Sequence, residues 1–157
     1  MKIKLILTGK TEGKWLQQGI SDYLVRLRHY ITFETVELTG LKKAGGLDAA
    51  KVRGKEGEQI LKSLTTGDYV ALLDEHGKEM TSVEFSGLIQ KHLIGSTKTL
   101  VFVVGGAFGF DDRVKERALM TLSLSQMTFS HQMVRLFIVE QLYRAMTIIR
   151  GEPYHHE

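Results

Sequence analysis

The sequence of 157 residues contains no cysteine. That removes disulfides, thiolate zinc sites and cysteine nucleophiles together, and it fits a reducing compartment. Proline occurs once, as Pro153, so there is no proline-rich linker. Tandem repeats and low-complexity tails are missing too. One domain over residues 1–157 is therefore expected, long enough to bury a core without staples. Long hydrophobic runs are also lacking. The opening "MKIKLILTGK" has an apolar stretch of about five residues, shorter than a signal peptide needs. The run "MVRLFIVEQLYRAMTII" carries Arg135, Glu140 and Arg144, which makes it a poor membrane span. A cytoplasmic protein with no membrane partner is expected. Excess charge is small: 21 Lys and Arg against 18 Asp and Glu give +3. This permits a nucleic-acid partner without demanding one.

What is present is a regular alternation. Residues 2–8, "KIKLILT", read as a buried strand. Trp15, Leu16, Ile20, Tyr23, Leu24 and Leu27 fall at helical spacing over 12–29. "TFETVEL", 32–38, reads as an edge or half-exposed strand. A glycine-rich loop leads to Asp48, which can cap a helix over 49–64 that buries Val52, Ile60, Leu61 and Leu64. "DYVALLD", 68–74, is a strand, and "EHGKE" turns it. Thr81 and Glu84 form a capping-box signal for a helix over 82–94. "KTLVFVVGG", 98–106, is a strand covered on both faces. Asp111 or Asp112 can cap a short helix over 112–119. "TLSLS" is a short strand, and a helix over 130–149 stops at Gly151. This order predicts an α/β fold with a parallel sheet of about five strands and helices on both faces. Ligands of such sheets bind beyond the carboxyl ends of the strands. Three places then matter: Leu73–Asp74, Gly105–Gly106 and the Ser123–Phe129 thread.

Several motifs mark candidate chemistry. "TGKT", 8–11, is not a phosphate-binding loop, because the required earlier glycine is Lys4. "VVGGAFGF", 103–110, runs a strand into glycines that let a ligand approach the backbone. It is not the dinucleotide fingerprint, and no acid for a ribose follows it at the right distance. An oxidoreductase reading fails there. In "LSLSQMTFSHQMVR", 122–135, hydroxyl-bearing residues crowd a polar thread against the most apolar helix of the chain. His131 and Arg135 share a face of that helix, and Glu140 can pair with Arg144. Met133, Phe137, Ile138, Leu142 and Met146 spread over more than one face, which suits a dimer interface. The tail "RGEPYHHE" combines Arg150, Tyr154, His155 and His156, a set suited to a flexible segment that orders on nucleic acid. Adjacent histidines without acids or cysteines at ligand spacing give no metal site.

The segments "VFVVGGAFGF", "LSLSQMTFSHQMVRLFIVEQLYRA" and "IIRGEPYHH" closely resemble the bacterial ribosomal RNA large-subunit methyltransferase H family. The likeness runs the length of the chain. One departure is visible: Ser130 stands where the family pattern has proline before the histidine. Serine can cap the helix, so the same backbone path with a less rigid start is expected.

The resemblance implies a SPOUT-class fold with a deep C-terminal trefoil knot, which general topology rules would have rejected. It implies an S-adenosylmethionine-dependent methyltransferase acting on N3 of a pseudouridine in 23S rRNA, as a homodimer. Carried onto this chain, the cofactor contacts fall at Leu73, Gly105 and Gly106, and at Leu124, Ser125, Gln126, Met127, Thr128 and Phe129. The thread then reads the adenine edge through its backbone, with Leu73, Leu124 and Phe129 around the ring. His131 and His155 are candidate bases, Arg135 a stabiliser of the anionic ring or a phosphate contact, and Tyr154 a stacking platform. Lys42, Lys43, Lys51, Arg53 and Lys55 would form the RNA footprint, on the assembled ribosome rather than on free RNA. No DNA partner is implied. The rival reading is a non-catalytic ribosome-binding protein that kept the fold.

Overall fold

The computed structural model describes residues 1–41 and 48–156. Lys42 and Lys43 lie outside the described residues. The elements are β1 (Lys2–Thr8), α1 (Lys14–Leu27), β2 (Thr32–Leu38), α2 (Ala49–Lys62), β3 (Asp68–Glu79), α3 (Ser82–Ile94), β4 (Thr99–Val104), α4 (Asp112–Arg117), β5 (Met120–Ser123) and α5 (His131–Arg150). The sheet has five strands in the order β2-β1-β4-β3-β5, and every pairing is parallel. The expected α/β class and the edge position of β2 are both found.

The strand interiors follow from sequence. Leu100 to Val104 of β4 are all buried, as a continuous apolar run in the middle of a two-faced sheet should be. Ile3, Leu5, Leu7, Phe102 and Val104 join α1, α3 and α5 in one core. Ile6, Val70, Leu72, Val101 and Val103 join α2 and α4 in another, on the opposite face. Alternate residues of one strand thus feed two cores.

The helix ends obey local chemistry. Asp48 accepts a hydrogen bond from Lys51 N, and Thr81 and Glu84 form the expected capping box. Asp111 caps α4. Ser130 caps α5 by accepting from Met133 N, with φ −62. Proline would hold the same φ, so serine keeps the backbone path and adds a cap. Gly151 ends α5 in the left-handed conformation at φ 66.

Three expectations need correction. Residues 75–79 do not simply turn the chain. After a register shift, Lys78 and Glu79 pair again with Leu122 and Ser123 of β5. Gly77 makes this possible, since a Cβ there would stand 2.6 Å from backbone atoms of Leu122. On α2 the buried residues are Glu56, Gly57 and Ile60, while Val52, Leu61 and Leu64 are half-buried. The helix is pressed onto Asp111 at Gly57, where a Cβ would stand 2.6 Å from Asp111 Cβ. Trp15 is 65% exposed. It sits one position, about 100°, off the Leu16–Ile20–Leu27 line that meets the core.

Helix α5 packs between α1 and α3. Leu136 lies against Gly19 of α1, and Gln141 accepts a 2.8 Å hydrogen bond from Ser82 of α3. Ile138, Val139, Leu142, Ala145 and Met146 face the sheet and are buried, while Met133, Phe137 and Tyr143 remain half-buried. The helix is therefore not covered on all sides within one chain.

Candidate functional site

A cleft of about 560 Å³ opens at the carboxyl ends of β3, β4 and β5. Nine of the residues singled out from sequence line it: Leu73, Gly105, Gly106, Leu124, Ser125, Met127, Thr128, Phe129 and His131. Residues 58 positions apart in the chain, Leu73 and His131, meet here because parallel strands end on one side of the sheet. Gln126 is not part of the lining; its amide donates to Glu79 Oε2 at 3.1 Å.

The hydroxyl groups of the thread tie it to itself and to β3. Ser123 Oγ donates to Ser125 O at 2.8 Å, and Ser125 Oγ accepts from Met127 N at 2.9 Å. Thr128 Oγ1 donates to Glu75. These local bonds hold a segment that has no ladder or helix of its own. Leu124, Ser125, Met127, Thr128 and Phe129 of this segment line the cleft. Phe129 is braced by Phe137 of α5 at a ring separation of 4.8 Å.

His131 opens α5 on the cleft wall. Burial, and then the nearby Arg135 cation, hold its imidazole below the usual histidine range. Arg135 itself is completely buried. Its Nη2 donates to Thr8 O at 2.7 Å, and its Nη1 to Gly9 O and Thr11 Oγ1 at 3.0 and 3.1 Å. The guanidinium therefore ties α5 to the end of β1 and does not line the cleft. Gln132 repeats the tie, accepting from Glu12 N at 2.9 Å and donating to Lys10 O at 3.1 Å.

Tyr154 and His155 lie elsewhere. They follow α5 but fold back beside it: Tyr154 meets Glu140 and His155 meets Arg144, about 14–20 Å of helix rise beyond His131, and neither lines the cleft. The tail is held by bonds rather than left loose. Tyr154 Oη donates to Glu140 Oε1 and meets Tyr23 Oη, both at 3.1 Å. Its ring stands edge-on to Tyr143 and under the Arg144 guanidinium, 4.7 Å from the centroid. Burial, with those hydrogen bonds, raises the Tyr154 phenol. Tyr30 donates to Glu152, and that bond pushes its phenol up to about 12.

Sequence reasoning missed Glu56. It is 9% exposed, its Oε2 has no partner, and it lies against Gly106 of the cleft. Burial raises its carboxyl above the usual range. A signal existed: Val52, Glu56 and Ile60 share one helical line, so the acid stands in an apolar stripe.

The whole chain has relatives. Residues 1–155 match the family model described as "Predicted SPOUT methyltransferase". The chain belongs to the SPOUT methyltransferase family. Over its full length it is 52% identical to the ribosomal RNA large subunit methyltransferase H of Parabacteroides distasonis, covering 100% of both chains. The like-named proteins of Christiangramia forsetii and Porphyromonas gingivalis are 52% and 46% identical, with 99% and 100% of each chain covered. Among the described residues no helix is long and apolar enough to cross a membrane.

Proposed function

We propose that this SPOUT methyltransferase methylates N3 of a pseudouridine in 23S rRNA, using S-adenosylmethionine, as a cytoplasmic homodimer acting on the assembled ribosome. The observation that carries this is the cleft at the ends of β3, β4 and β5, in a chain about half identical throughout to proteins named for rRNA methylation. The cleft fits the donor. Its volume lies in the small-molecule range, Leu73, Leu124 and Phe129 offer apolar surface for adenine, and Gly105 and Gly106 allow close backbone approach.

Held against Leu73, Leu124 and Phe129, S-adenosylmethionine would supply an electrophilic sulfonium methyl for N3 and would leave as the thioether. The chain has to align N3 and remove its proton. His131, kept neutral at pH 7, accepts that proton from a position on the cleft wall. Arg135 works through others. It lowers the His131 pKa and fixes the β1–α1 loop. Tyr154 and His155 reach a reacting base as the second subunit's tail, since their own packs on Glu140 and Arg144 and does not line the cleft. The half-buried Met133 and Phe137 support a partner on that side. Lys51, Arg53 and Lys55 on α2 supply phosphate contacts, and a net charge of +3 suits an assembled surface better than naked RNA.

The test is transfer of labelled methyl to ribosomes lacking the modification and, in parallel, to protein-free 23S rRNA. Label in N3-methylpseudouridine from ribosomes is the expected result. Absence of label from both substrates sinks the reading, and equal labelling of free rRNA sinks its ribosomal part.

A further inference from the structure

The tail of α5 contains an ordered chain of contacts that ends on His155. Glu140 Oε1 accepts from Arg144 Nη2 at 2.6 Å, from Arg144 Nε at 3.0 Å and from Tyr154 Oη at 3.1 Å. Gln141 Nε2 donates to the second carboxylate oxygen at 2.8 Å. Tyr23 of α1 closes the group through Tyr154 Oη. Two Arg144 nitrogens are thereby held, and the third, Nη1, meets His155 Nδ1 at 3.4 Å.

Arginine has donors only, so this contact makes Nδ1 the acceptor. A neutral imidazole with Nδ1 accepting carries its proton on Nε2. Nε2 is then a hydrogen-bond donor and has no free lone pair to take a proton.

Resting on the reading above, we infer that His155 is a donor to a ring carbonyl oxygen beside N3, held in the Nε2–H form by Arg144, and that His131 alone is the base. Loss of the N3 proton spreads negative charge onto the flanking carbonyl oxygens. A donor fixed there binds the transition state more tightly than the ground state. Glu140, Tyr154 and Tyr23 are positioning residues: they hold Arg144 and the tail and do not touch the substrate.

Glutamine distinguishes donor from base, because its amide can donate where Nε2–H did but cannot accept a proton. His155→Ala should lower kcat by about 100-fold or more, the effect of deleting an oxyanion donor. His155→Gln should recover to within about tenfold of wild type. Glu140→Gln should lower kcat while leaving the Kd for S-adenosylmethionine unchanged, since Glu140 does not line that cleft. Nitrogen-15 NMR of wild-type protein should show the Nε2–H tautomer at His155. Equal losses in His155→Gln and His155→Ala would make His155 a base and overturn the inference. So would full activity in His155→Ala, or the Nδ1–H tautomer. Wild-type protein that transfers no methyl overturns the underlying reading, and the assignment falls with it.

Discussion

Glu56 and Gly106 are in direct contact: a Cβ on Gly106 would stand 2.5 Å from Glu56 Oε2 and 2.7 Å from Oε1. The glycine lines the cleft and the acid lies beneath it in α2. Glu56 is buried, so its carboxyl cannot swing away cheaply. Gly106→Ala should therefore distort the cleft, weakening S-adenosylmethionine binding about tenfold or more and costing about 1–3 kcal/mol of stability, as overpacking does. Adding Glu56→Ala should restore part of both. Calorimetric titration across the double-mutant cycle checks this, and strictly additive losses would mean that the two sites do not couple.

Glu56 also sets a pH dependence. Burial raises its folded pKa above the unfolded value. Its contribution to stability is then fully present below the ordinary glutamate pKa of about 4.3, and is lost as pH rises through the folded value. Glu56→Gln escapes that loss. Relative to wild type, its urea midpoint should rise as pH increases from that ordinary value up to the folded one. A constant difference across that interval would count against a buried, neutral acid.

Arg135→Met should cost about 2–4 kcal/mol, because Thr8 O, Gly9 O and Thr11 Oγ1 lose their donor in a buried place. Arg135→Lys should recover only part, since an ammonium cannot reproduce the planar fork. Urea unfolding measures both. A surface cation would show neither effect.

The methyl-transfer rate should fall on the acid side, where His131 gains a proton. Burial and Arg135 depress that pKa, so the limb in kcat/KM should lie below the ordinary histidine value of about 6.5. His131→Ala should abolish the limb and cost about 100-fold or more. An unchanged limb in His131→Ala would assign the titration to another group.

Much of this architecture is legible in the chain. Alternation of apolar strands with amphipathic helices specifies the parallel sheet, and Asp48, Thr81, Asp111, Ser130 and Gly151 mark helix ends. These signals act within three or four residues, so one sequence displays them. The three strand ends of the cleft were legible for the same reason, together with the resemblance. What misled was any residue whose meaning depends on a distant partner. Arg135 looks like a solvent or substrate cation until β1 is laid against α5. "EHGKE" looks like a turn until β5 arrives beside it. Tyr154 looks like a loose aromatic until Tyr23, 131 positions away, bonds to it.

By itself, then, the sequence determined the elements, their order, the parallel sheet and the place where a ligand would sit, through periodicity and capping that operate locally. Tertiary structure alone decided that Arg135 is buried, that Glu56 underlies Gly106, and that Arg144 meets His155. Each of these depends on hydrogen-bond geometry and exclusion of water between segments that meet only after the chain has folded.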